Sequence, residues 1–318
     1  MESNDAGTVQ PRDEGTPEGV AEALPSPGTQ QDTNSPRFPR STARQCDCAG
    51  RGATESPGAN SIANPYVYAL GRIEPRFPSL GAEKEFAQAI GRAETANLTD
   101  RQAVHAVLSS PENRYLVKQL CYVLTVQDTE TYILQPRDPF DFNLLVEAIR
   151  PLPRPTDLDV VIGLRGPLAP PDLCNGLVVP VAIFDQIYSF DADSLVRAIP
   201  RPEGTSEEIF TAAAEELLTR IKQVADNAGT LDEHRVLNYL AVRYPAIYTK
   251  SVEAFSQGAS LSAVEVRPSR LSGVRKILDV VFSYSDRQTD FTEKFFVRVD
   301  AAEMFPFIVT KLSPYYDR

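Results

Sequence analysis

Lys276-Ile277-Leu278-Asp279-Val280-Val281-Phe282-Ser283-Tyr284 is rich in β-branched and aromatic residues and partly alternates in polarity. Phe291-Thr292-Glu293-Lys294-Phe295-Phe296-Val297-Arg298-Val299 has the same character. Such runs suit the pleated, half-buried surface of a strand. Between them, Ser285-Asp286-Arg287-Gln288-Thr289 supplies turn residues, so the second run is expected to fold back on the first. Residues 263–266 before the pair and 305–311 after it extend the hairpin toward an antiparallel meander.

Upstream the pattern becomes helical. Thr99 before Asp100-Arg101-Gln102 is a good N-cap. Ser110-Pro111-Glu112 combines a cap, a proline at the first helical position and an acid in the first turn. The spacing of Tyr115, Leu116, Leu120 and Val123 predicts that this helix runs on to Val123. Residues 80–92 and 140–149 are also helical in pattern. Thr205-Ser206-Glu207-Glu208 and Thr230-Leu231-Asp232-Glu233 each have capping-box spacing. The first box leads into a stripe of Phe210, Ala213, Leu217, Ile221 and Val224, and Pro245 should end or kink the helix after the second. Residues 65–74, 129–134, 158–164 and 178–188 read as strands, the last with Asp185 inside an apolar run. The fold class that follows is α+β: a helical middle region packed on a mostly antiparallel sheet.

Residues 1–61 differ from all of this. They are rich in Pro, Ser and Gly and hold one aromatic residue, Phe38. Such a segment cannot bury enough apolar area to offset the entropy of ordering it. It is expected to be a disordered tail ahead of a folded domain over 62–318. The net charge of −11 disfavours nucleic acid as a partner. No run of about 18 apolar residues exists, so no membrane span is expected. The start Met1-Glu2-Ser3-Asn4-Asp5 lacks the basic and apolar regions of a secretory signal. A cytoplasmic location follows as the expectation, with the four cysteines as thiols or metal ligands rather than disulfides.

Reactive constellations are sparse. No G-x-S-x-G, no phosphate-binding loop and no dinucleotide fingerprint occurs. Gly163-Leu164-Arg165-Gly166-Pro167 reads as a turn after a strand. The two histidines are His105 and His234. Cys121 or Cys174 with His234 would make a nucleophile and base, if the fold brought them together. The same residues, with Cys46 and Cys48, carry the donor types that zinc takes, although paired C-x₂-C and H-x₃₋₅-H spacings are absent. The competing reading is a packed thiol at Cys121 within Leu120-Cys121-Tyr122-Val123-Leu124. Arg267 and Arg270, followed by Arg275 and Lys276, interrupt a β region of an acidic chain. Their guanidinium groups suit a carboxylate or acidic peptide, against the alternative of a loop neutralised by its own surface.

Several longer segments carry a resemblance. Tyr66-Val67-Tyr68-Ala69-Leu70-Gly71-Arg72-Ile73-Glu74-Pro75-Arg76-Phe77-Pro78, Ile133-Leu134-Gln135-Pro136-Arg137-Asp138, Cys174-Asn175-Gly176-Leu177 and Phe184-Asp185-Gln186-Ile187-Tyr188-Ser189-Phe190 appear in order. Asn238-Tyr239-Leu240-Ala241-Val242-Arg243-Tyr244-Pro245 and Thr310-Lys311-Leu312-Ser313-Pro314-Tyr315-Tyr316-Asp317-Arg318 complete the series. Together, over about 64–318, they resemble the C-terminal domain of unknown function of PatG-type cyanobactin maturation proteases. The resemblance implies a role in maturing ribosomally synthesised, post-translationally modified peptides. The subtilisin-like part of those proteases has no counterpart here, so protease and macrocyclase activity are not implied. What is implied is a non-catalytic binding or scaffolding domain whose partner is a precursor peptide or a modifying or protease protein. An enzyme with a Cys/His or zinc site and a homodimerisation module are the alternatives. A zinc-bound, dimeric form is consistent with the Cys and His content.

Overall fold

The strand Tyr66–Arg76 (β1) is apolar on both faces, and that places it between two cores. Val67, Ala69 and Ile73 enter one core, whereas Tyr68 and Leu70 enter the other. The computed structural model describes residues 65–92, 98–201, 203–273, 275–289 and 291–316. These belong to a unit spanning 60–318. The expected tail over 1–61, with Cys46 and Cys48, lies outside the described residues.

β1 pairs antiparallel with Cys121–Val126 (β2) and with Asp157–Leu168 (β4), in registers that set Ile73 opposite Leu124 and Tyr68 opposite Ile162. Thr129–Pro136 (β3) runs antiparallel to β2 and parallel to Pro180–Asp191 (β5). β5 returns antiparallel to β4, which closes a five-stranded barrel. Closure requires close backbone approach at Gly163, beside a register shift between Ile162 and Gly163. A Cβ there would lie 2.1 Å from the Ile183 carbonyl oxygen, so only glycine fits. Ala69, Leu124, Leu134, Val161 and Phe184, one from each strand, meet in a single core. Leu80–Arg92 (α1), Asp100–Ser109 (α2), Arg114–Gln119 (α3) and Phe142–Ala148 (α4) cover it, contributing Phe86, Val107, Leu116 and Leu145.

After Ala192–Ala198 (α5) come Glu207–Lys222 (α6), Asp232–Arg243 (α7) and Ala246–Ser256 (α8). The chain ends in Ala259–Pro268 (β6), Ile277–Asp286 (β7), Thr292–Asp300 (β8) and Phe307–Pro314 (β9), an antiparallel meander in that order. Phe210, Leu217 and Ile221 of α6 and Leu240 of α7 share one core with Leu70, Val160, Val280 and Val297. The helices are thus a filling between barrel and meander. Polar fasteners hold this layer to the barrel. Asn238 donates to the Tyr68 carbonyl at 2.8 Å and pairs with Asn227. Gly229, at φ +72, lets its own carbonyl accept from the Tyr68 N–H at 2.9 Å, and a Cβ would strike Tyr68. On the meander side, fully buried Arg235 donates to the carbonyls of Ala301 and Met304 at 2.9 and 3.2 Å, and to those of Glu303 and the carboxylate of Asp232.

The α+β class holds, with two sheets in place of one. The expected helix through Val123 ends at Gln119, and residues 121–126 are strand β2. Every second residue there faces the barrel core, and pairing with β1 and β3 outweighs the local helical spacing. Residues 163–167 are strand, not turn, and Asp185 bulges from β5 to pair with Arg137 at 3.0 Å. Thr99 forms its cap as a complete capping box with Gln102. The other two boxes do not form as expected. Ser206, not Thr205, caps α6, and Leu231 precedes α7 without a side-chain cap. Among the described residues no helix is long and apolar enough to cross a membrane.

Candidate functional site

Cys121 opens β2, and Cys174 sits in a tight turn where Leu173 and Gly176 donate to the carbonyls of Pro170 and Pro171. That turn brings the two residues to a Cα separation of 5.8 Å, and their sulfurs form a disulfide. They pack with Val123, Ile133, Ala169 and Val181 in a small apolar cluster. This corrects the expectation of free thiols or zinc ligands at these positions: a sulfur bound to sulfur is neither nucleophile nor thiolate donor. The signal was absent locally because the partners are 53 residues apart in sequence.

His234 is elsewhere, on the first turn of α7 and 7 % exposed. Its Nδ1 has no hydrogen-bond partner among the described residues. Burial holds its pKa below the ordinary 6.5, against the pull of Glu233 and Asp226. Among the described residues no group of three or more His, Cys, Asp or Glu side chains is placed to hold a metal. Cys121, Cys174 and His234 therefore do not assemble into the zinc site or the nucleophile–base pair considered above.

Arg267 and Arg270 lie at the end of β6 and in the turn after it. Arg267 is engaged on the sheet surface. Its guanidinium pairs with Glu265, donates to the Tyr315 hydroxyl at 3.2 Å and lies 5.7 Å from the Tyr315 ring centre. Tyr315 in turn stacks edge-on against Phe296, 5.6 Å between ring centres. Arg270 is exposed and makes no ion pair among the described residues.

The meander has two edge strands with different chemistry. β6 exposes Ser262, Glu265 and Pro268. Polar and charged side chains of this kind deter pairing with another chain. β9 exposes Phe307 at 47 % and Val309 at 39 %, followed by Lys311, and Phe305 just before it is also exposed. Period-two alternation sends Ile308 and Leu312 inward to the helical core and leaves Phe307, Val309 and Lys311 outside. Pro306 and Pro314 bracket the strand. Among the described residues β9 has no second strand neighbour, although its Leu312 N–H donates to the Tyr244 hydroxyl at 2.9 Å, and it offers a short backbone edge beside apolar side chains, the arrangement that receives an added strand. The extension of the meander over 305–311 was visible in the sequence; the edge position was not.

Residues 204–315 match the PatG C-terminal family. They span α6 through β9, including the site just described. Among solved structures, the chain is similar to the "PatG Domain of Unknown Function", with a TM-score of 0.62 at 18 % identity. That likeness covers 79 % of this chain and 99 % of the other, so it extends beyond the segment matched by the family. No curated protein matches the chain.

Proposed function

We propose, from the match of residues 204–315 to the PatG C-terminal family and the likeness to the PatG domain of unknown function, that the chain is a non-catalytic binding module that captures an extended precursor peptide along β9. Such a module would serve the maturation of ribosomally synthesised, modified peptides, holding substrate for a separate modifying or protease protein. The observation that carries this reading is the β9 edge, without a second strand neighbour among the described residues, with Phe307 and Val309 exposed. Main-chain hydrogen bonds along an edge supply affinity with little sequence demand, and alternate side-chain contacts add selectivity. That suits a partner that must bind many variants of one precursor. Arg270, exposed at the β6–β7 turn, is available to an acidic stretch of the same peptide or its protein partner.

The test is a titration of the labelled precursor peptide encoded nearest the gene. Phe307→Lys with Val309→Lys is expected to abolish binding while leaving the circular dichroism spectrum and melting temperature in place. Undiminished binding by that variant would reject the β9 reading. Sedimentation of both forms addresses self-association: a wild-type dimer that the double variant dissociates would mean that a second copy, not a peptide, occupies the edge.

A further inference from the structure

A cavity of about 560 Å³ opens where the β2–β3 turn meets the C-terminal end of α6, well within the size range of small-molecule sites. Leu70, Val126 and Leu158 give it an apolar wall. Its charged groups are not balanced. The acids Glu74, Asp128 and Asp157 line it, and two of them, Glu74 and Asp157, are already engaged. Arg101 pairs with Glu74 at 3.5 Å. Arg150 pairs with Asp157 at 3.4 Å, and the backbone N–H of Arg154 donates to the same carboxylate at 2.7 Å.

Two cations on the same wall make no close ion pair among the described residues. Arg72 donates to the Pro155 carbonyl at 2.6 Å, and neither Arg72 nor Lys222 makes an ion pair among the described residues. They act on each other. Burial first, and the positive charge of Arg72 second, hold the Lys222 ammonium below its ordinary pKa, with Asp128 opposing. With Glu74 and Asp157 engaged by Arg101 and Arg150, Arg72 and Lys222 face only Asp128 across the cavity, which leaves one net positive charge there, suited to a single anionic group.

The frame around them is the β2–β3 hairpin turn. Gln127 and Asp128, the tip of the β2–β3 hairpin, sit at φ 48 and 60, a region most side chains avoid. The Gln127 amide holds the tip by donating to the carbonyls of Lys222 and Val224 at 2.6 and 2.8 Å. A two-residue hairpin turn takes positive φ at both central residues, and the Gln127 amide fixes that turn beside Lys222.

We propose that this cavity binds a carboxylate: Arg72 and Lys222 grip the anion, and Leu70, Val126 and Leu158 cover the apolar group attached to it. A carboxylate is favoured over a phosphate because Asp128, Glu74 and Asp157 on the same wall oppose a second negative charge. The carboxylate belongs to a free small acid or to the C-terminus of a peptide. This site does not depend on the β9 reading and survives its failure.

The experiment uses calorimetric titration of the full chain with N-acetyl-leucine, N-acetyl-leucinamide, a short peptide ending in leucine as acid and as amide, and inorganic phosphate. Both acids are expected to bind and both amides to fail. A peptide acid tighter than N-acetyl-leucine assigns the source to a peptide C-terminus; equal affinities assign it to a free acid. Arg72→Gln and Lys222→Gln should each weaken acid binding tenfold or more with the melting temperature unchanged, and Lys222→Arg should retain it. Equal binding of acids and amides, absence of acid binding, tighter binding of phosphate, or full binding by the folded Gln variants would each overturn the proposal.

Discussion

The barrel, antiparallel except where β3 meets β5, and the antiparallel meander are both rich in Val, Ile, Phe and Tyr, yet they treat their edges in opposite ways. In the barrel, β4 and β2 both pair with β1, and β5 closes the circuit between β3 and β4. Every strand has two neighbours, and no edge remains to be recognised. In the meander, the same strand chemistry stops at four strands and, among the described residues, leaves β6 and β9 open. Polar side chains guard β6, and apolar ones line β9. The difference teaches where each sheet spends its hydrogen-bonding capacity: the barrel inwardly, on its own stability, and the meander partly outward, on contact.

The sharpest way to break this comparison is at the barrel's closure. Gly163→Val would drive a side chain into the Ile183 backbone, which cannot yield as a flexible side chain would. Overpacking of this kind is expected to cost about 3 kcal/mol or more, measured by urea unfolding, and soluble yield should fall. The Phe307→Lys, Val309→Lys pair on the open edge should instead stay within about 0.5 kcal/mol of wild type, as surface changes do. If both variants lose stability alike, the two sheets do not divide their roles as described.

Next in size is the Cys121–Cys174 link on the outside of the barrel. Cys174→Ser is expected to remove about 2–4 kcal/mol, and added reductant should lower wild-type stability to the same level without further effect on the variant. Peptide mapping without reduction checks the pairing directly.

A smaller effect concerns the helical layer. The folded-state pKa of His234 lies below its ordinary 6.5 because burial disfavours the imidazolium. The sign follows from linkage: the unfolded chain takes up the proton first, so the stability contribution is present above 6.5 and is lost as pH falls through the folded value. Melting temperatures recorded downward from pH 7 should therefore decline more steeply for wild type than for His234→Gln. Parallel curves would remove His234 from the account. The smallest expected change is at Arg270→Ala, within about 0.5 kcal/mol in stability. Any loss of precursor binding in that variant would then report contact rather than unfolding.

Local chemistry carried much of the fold. The strands around 277–284 and 291–299, the Thr99 cap and the stripe of Phe210, Leu217 and Ile221 were legible because alternation, helical spacing and capping each act over a few residues. What escaped that reading shares one property: each part depends on a partner distant in sequence. Residues 121–126 carry an ambiguous apolar run, and pairing on both sides made them strand β2. Arg235 looks like one charge on an amphipathic helix until the 301–304 loop buries it with carbonyl acceptors. Cys121 and Cys174 became a disulfide because the turn before β5 crosses the start of β2. Arg72 and Lys222, 150 positions apart, share a cavity only because α6 packs against the barrel. Composition and periodicity decided which residues would be buried and in which kind of element, since those preferences arise from each residue's own solvation and neighbours. The placement of charges, sulfurs and open edges was settled by chain closure over long separations, where packing and pairing of whole layers outweigh any local preference.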